Sequence, residues 1–90
     1  MTALLAVRHN VADYAAWRVV YESAEPIRAR HGCGAKAVYS VPGNDTDVFV
    51  THEFPDVASA QAFAADPELA TKMQSSGVTG APRFEFFELL

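Results

Sequence analysis

Short apolar runs occur near both ends and in the middle of this chain, and the stretches between them carry apolar residues at helical spacing. Thr2 to His9 is a brief apolar run followed by Asn10, which predicts a first strand. From about Asp13 to Arg30, Tyr14, Trp17, Val20, Tyr21, Ala24 and Ile27 recur at intervals of three and four, so an amphipathic helix with a buried stripe is expected. Arg18, Glu22, Glu25 and Arg28 fall largely off that stripe. Pro26 lacks a backbone donor and disfavours helical geometry at Glu25, which predicts a bend there and a stop at Gly32. Ala35 to Val41 reads as a strand, Pro42-Gly43-Asn44-Asp45 as a reversing turn, and Val48 to Phe54 as the second arm of a hairpin. Asp56 or Ser59 can cap a helix running through Ala65 and containing Val57, Ala60, Phe63 and Ala64. Asp66 before Pro67 marks another start, with a helix to about Ser75 that turns Leu69 and Met73 inward and ends at Gly77. Gly80 and Pro82 then lead into a last strand, Arg83 to Leu90.

The order β α β β α α β, without repeats or linkers, predicts one α+β domain over residues 1–90, a ferredoxin-like subunit with a four-stranded antiparallel sheet. Right-handed crossovers put the first and third strands in the centre and the second and fourth at the edges. His9 then lies opposite Asp47 or Val48, and His52 opposite Leu4 or Leu5, so these two histidines do not form a metal pair. Alternation sorts Leu5, Val7, Val48, Val50, Phe54, Phe84 and Phe86 onto one face, joined by Tyr39 if the register continues; Arg8, Phe49, Thr51, Glu53, Glu85 and Phe87 take the other. Both faces carry bulk, and the helices suffice for one. Leaving Leu4, Phe49, Phe87 and Leu89 wet would forgo about 6 to 12 kcal/mol, at about 1.5 to 3 per large side chain, against a usual total stability of about 5 to 15. A homodimer follows as the expectation, with Arg8, Phe49, Glu53, Phe87 and Leu89 at the interface. The edge strand Ala35 to Val41 is apolar enough to pair again, which leaves a larger assembly open.

Composition narrows the partners. Half of the 90 residues are hydrophobic and a fifth are charged, an ordinary globular balance. A net charge of -4 and an isoelectric point near 5.1 supply no basic stripe for nucleic acid or an anionic membrane. The one cysteine, Cys33, has no partner for an internal disulfide and suits a reducing cytoplasm. The apolar start has no basic residues before it and meets Asp13 too soon for an export signal, and no run reaches membrane-spanning length. Gly32 and Gly34 precede a strand rather than follow one, so no phosphate-cradling loop and no nucleotide cofactor is expected; neither is a bound metal.

Candidate chemistry rests on few residues. Tyr14, Trp17, Tyr21 and Phe86 can wall a pocket for a flat ligand, or serve as plain core. His52 alternates with Val50 and Phe54 onto the apolar face, where an imidazole of near-neutral pKa can act as a general base, or rest satisfied by a backbone or hydroxyl group. His9 at a strand end and His31 at a helix end are expected in solvent. Arg8 shares a face with Glu53 and Glu85 and can pair with either, across strands or across a dimer. No basic residue adjoins Cys33, so nothing predicts a reactive thiol.

Three segments, Asn10 to Trp17, Val48 to Asp56 running into Ala58 to Phe63, and Gly77-Val78 with Pro82, resemble the dimeric α+β barrel superfamily that includes the antibiotic-biosynthesis monooxygenase-like proteins. The resemblance implies that two ferredoxin-like subunits join their sheets into a barrel. It also implies that a small aromatic ligand sits between sheet and helices of each subunit. Activities in that family range from cofactor-independent oxygenation of polyketide phenols or quinols to haem degradation and isomerisation, so fold is implied more closely than chemistry. Its better understood oxygenases carry His, Trp or Asn on or near the helix after the third strand. Residues 57–73 contain none, and that motif does not transfer. Two functional readings stand: a cofactor-independent, monooxygenase-like enzyme acting on an aromatic or polyketide-type molecule through His52, and a non-catalytic ligand-binding or structural dimer.

Overall fold

The computed structural model describes residues 2–90. Its elements are β1 (Ala3–Val11), α1 (Tyr14–Ser23), α2 (Glu25–Arg30), β2 (Lys36–Val41), β3 (Asn44–Phe54), α3 (Val57–Ala64), α4 (Pro67–Ser75) and β4 (Val78–Glu88). The four strands form one antiparallel sheet in the order β2-β3-β1-β4, so the first and third strands are central as the crossover rule requires. His9 pairs with Val48 and His52 with Leu5, as alternation and topology predict.

Aspartates start three of the helices. Asp13 accepts from the backbone N–H groups of Ala15 and Ala16, Asp56 from Ser59, and Asp66 from Glu68, each satisfying donors that the first turn leaves unpaired. The long first helix divides at Ala24 rather than at the proline. Pro26 sits near the start of α2, where its missing N–H is not needed, and the chain turns one step earlier.

Three strands extend past their predicted limits. Asn10 does not stop β1, because it pairs with Asp47 on one side and Thr79 on the other. The hairpin is tighter than expected: Val41 pairs with Asn44, and Gly43 turns the chain at a φ of 77°. β4 begins at Val78 and carries Gly80 and Pro82 inside it. Its register against β1 shifts between Arg8 and Asn10, and an edge strand tolerates a proline at such an irregularity.

All four helices lie on one sheet face. Ala3, Leu5, Val7 and Phe54 pack with Ala24, Ile27, Ala60, Phe63 and Leu69, while Val11, Val48 and Val50 pack with Trp17 and Tyr21. Two assignments change. Tyr39 belongs to the opposite face, where it pairs with Phe49 at 6.3 Å between rings, because Val38 and not Tyr39 is in register with Val50. Arg28, expected off the buried stripe, is 2 % exposed, since the new start at Ala24 turns it toward the sheet. The face away from the helices leaves Phe49, Tyr39, Phe87 and Leu89 exposed, while Leu4 is half-buried by its neighbours.

Candidate functional site

Where α1, α2 and α4 lean over the sheet they leave a cavity of about 60 Å³. Its floor is made by Leu5, Val7 and His9 of β1, Val50 and His52 of β3, and Phe84 of β4. Trp17, Val20 and Tyr21 of α1 form one wall, Phe63 of α3 and Leu69 and Met73 of α4 the other, and Arg28, Lys72 and Ser76 bring the remaining polar groups. The wall on the α1 side is built by spacing alone. Trp17 and Tyr21 are one turn apart and face the sheet, with rings stacked at 5.1 Å.

Both histidines of the cavity are buried, and neither ring nitrogen of either has a hydrogen-bond partner among the described residues. His52 lies against Phe63 at 5.2 Å and Tyr21 at 6.5 Å between ring centres. Burial, followed by the charges of Arg28 and Lys36, pushes its pKa down to about 4, so the imidazole is neutral at pH 7. That differs from the near-neutral base expected from the sequence, and no backbone or hydroxyl group among the described residues satisfies the ring. His9 stands 5.5 Å from Trp17, and burial lowers its pKa also. The expectation that His9 meets solvent therefore fails. It shares the parity of Leu5 and Val7, and β1 runs two residues beyond it, which carries its side chain under Trp17.

Arg28 is the buried positive group of the site. Its Nη2 donates to the carbonyl of Tyr21 at 2.6 Å and its Nε to Glu25 at 2.9 Å, and the guanidinium lies 4.2 Å from the centre of the Tyr21 ring. Glu25 also accepts from Lys36, and the Lys36 and Arg28 hydrogen bonds hold its carboxyl below the usual range. Burial raises the Tyr21 phenol.

The other expected positions divide. Trp17, Tyr21 and His52 meet at the cavity. Tyr14 is half-buried beside Trp17 but outside the lining, and its hydroxyl accepts from Arg18 at 3.3 Å. Phe86 is 38 % exposed at the sheet edge, and Phe84 supplies the β4 ring instead because it pairs with Val7 at the sheet centre. His31 is not in solvent: its Nε2 donates to Asp66 Oδ2 at 2.7 Å, and that bond keeps the carboxyl low. Arg8 pairs with Asp47 at 3.1 and 2.9 Å, not with Glu53 or Glu85, and Glu85 accepts from Arg83. Burial raises the Cys33 thiol, which keeps it protonated and poorly nucleophilic. Sequence reasoning missed His9 and Arg28; strand parity signalled the first, and the seven-residue step from Tyr21 signalled the second.

One four-stranded antiparallel sheet under a single helical layer is a fold this chain shares with solved antibiotic biosynthesis monooxygenases. SnoaB, a cofactor-independent oxygenase from Streptomyces nogalater, superposes with a TM-score of 0.82 at 13 % identity, covering 99 % of this chain and 93 % of its own. A putative antibiotic biosynthesis monooxygenase from Bordetella bronchiseptica gives 0.82 at 12 % identity over 99 % and 97 %. A protein of unknown function from Nitrosomonas europaea gives 0.76 at 24 % identity over 99 % and 89 %. The sequence matches no family model and no curated protein. At these identities the likeness is one of fold. Among the described residues no helix is long and apolar enough to cross a membrane, and no three His, Cys, Asp or Glu side chains cluster as metal ligands would.

Proposed function

We propose that this chain is a monooxygenase-like protein that takes a small aromatic or polyketide-type molecule into the cleft and oxygenates it without a tightly bound cofactor. One observation carries the reading: His52 and His9, both buried, present four unpartnered ring nitrogens to a largely apolar space. A buried polar group without a partner costs about 1 to 3 kcal/mol, so a ligand with hydroxyl or carbonyl groups recovers what the folded chain gives up. Trp17 and Tyr21 hold its rings by stacking and Phe84 closes the far side. His52 is unprotonated at pH 7, as a base must be, but a conjugate acid near pKa 4 is strong. Proton removal from a hydroxyl near pKa 10 is therefore uphill unless the resulting anion is stabilised. The Arg28 guanidinium, which also lines the cavity, supplies that stabilisation. Dioxygen then reacts with the phenolate, and one oxygen atom ends in a quinone carbonyl and the other in water. The name of the Streptomyces nogalater structure, a cofactor-independent oxygenase, supports this class of reaction.

The active form in this proposal is a homodimer in the cytoplasm. Phe49, Phe87 and Leu89, with 37, 51 and 66 % exposure, form the apolar contact across the open sheet face, and Arg8 and Glu53 lie on that same face. A second reading, a dimer that binds or scaffolds without turnover, draws on the small size of the cavity. About 60 Å³ is less than the roughly 150 Å³ that accommodates benzene in a rigid protein interior.

A thermal-shift screen with phenols and quinones separates the readings. The expected outcome is a ligand-dependent rise in Tm for the parent that shrinks in His52→Ala, with oxygen uptake for at least one ligand. No shift with any phenol or quinone leaves the scaffold reading ahead.

A further inference from the structure

The cleft has an imidazole at each end, and the reading above gives a chemical step to His52 alone. His52 and His9 sit on neighbouring central strands, on the same sheet face, four residues apart in register: His9 is opposite Val48, and His52 is opposite Leu5. At roughly 3.3 Å per residue their backbones are about 13 Å apart along the strands. Val7 and Val50 form the apolar floor between them. Beside that floor, packed on Val50, the rings of Trp17 and Tyr21 form a wall that runs from one histidine to the other, with Trp17 5.5 Å from His9, Tyr21 6.5 Å from His52, and the two stacked on each other. The cleft is thus a narrow, largely apolar slot with an unpartnered imidazole at either end.

We propose that His9 is a second binding residue, so that the ligand of this slot is a flat molecule with a hydroxyl or carbonyl oxygen at each of two opposite ends. A neutral imidazole has one donor and one acceptor nitrogen, so each end accepts either a hydroxyl or a carbonyl. His9 is 7 % exposed, no described residue bonds to it, and no ion pair holds its ring. Packing alone gives no reason for an imidazole there, since Val7 and Val11 fill the same face of β1 with aliphatic groups. A ligand of one or two fused rings requires the slot to widen. The half-buried Met73 and Lys72 of α4 border it with flexible side chains that can swing outward.

This inference rests on the cleft being a ligand site, and the experiment keeps the two apart. Dissociation constants are measured by calorimetry for naphthalen-2-ol, naphthalene-2,3-diol and naphthalene-2,6-diol with the full chain, its His9→Phe variant and its His9→Gln variant. The parent should bind the 2,6-diol about tenfold more tightly than the other two, the value of one added hydrogen bond to a buried group. His9→Phe should bring that ratio to about one while leaving the affinity for naphthalen-2-ol within twofold, and His9→Gln should restore part of it. Equal binding of the 2,3- and 2,6-diols by the parent overturns the proposal without any variant. Naphthalen-2-ol binding with no preference among the diols removes His9 and keeps the site. No binding by any of the three removes both.

Discussion

At the residue scale, His52 decides how stability responds to pH. Its folded pKa of about 4 lies below the ordinary 6.5, because burial and the Arg28 and Lys36 charges disfavour the imidazolium. The unfolded chain therefore takes up a proton, as pH falls through 6.5, that the folded chain refuses. Stability from this group is complete above pH 6.5 and is lost as pH falls toward 4, by about 3 kcal/mol in all. His9, whose pKa is also lowered, adds loss of the same sign. Urea midpoints between pH 7.5 and 4.5 should fall steeply for the parent and clearly less for His52→Phe; identical slopes would contradict the burial of a neutral imidazole. Which residues meet in the cleft was only partly legible in the chain. Trp17, Tyr21 and His52 follow from periodicity, whereas His9 and Arg28 become buried because a strand runs longer and a helix restarts earlier than local signals indicate.

At the element scale, local capping chemistry agrees with the fold. Asp13 has extended backbone and receives two N–H groups of α1 at 2.9 and 3.4 Å, so α1 enters at the angle that puts Trp17 over β1. Asp13→Ala should lower stability by about 1 kcal/mol, read as a shift in urea midpoint at pH 7, and Asp13→Ser should recover most of it. Strand limits were less legible. Asn10 and Asn44 look like breakers or turn residues in the chain, yet each has a backbone partner in the sheet. Propensity gives way once a neighbouring strand offers hydrogen bonds for both sides of the backbone.

At the scale of the whole molecule, the helices cover one face and the other carries Tyr39, Phe49 and Phe87 among charged groups. Arg8 and Asp47 satisfy each other within the chain, so the apolar residues rather than that pair are left to drive the proposed dimerisation. The parent should sediment as two subunits, and Phe87→Glu or Phe49→Glu should sediment as one while retaining the far-ultraviolet circular dichroism of the parent. A parent that sediments as a single subunit at tens of micromolar concentration would remove the dimer.

The order of elements, the helix starts at Asp56 and Asp66, the central position of the first and third strands and the strand neighbours of His9 and His52 were determined by the amino-acid pattern alone. Each depends on local periodicity, on a short-range hydrogen bond or on the handedness of a crossover. Tertiary structure decided the rest: that Tyr39 faces away from the helices, that Phe84 and not Phe86 reaches the cleft, that Arg28 goes inside, and that His9 is left dry and unpartnered. These outcomes turn on register and on where one layer ends over another, and a shift of a single residue in either reverses which side of the sheet a side chain meets.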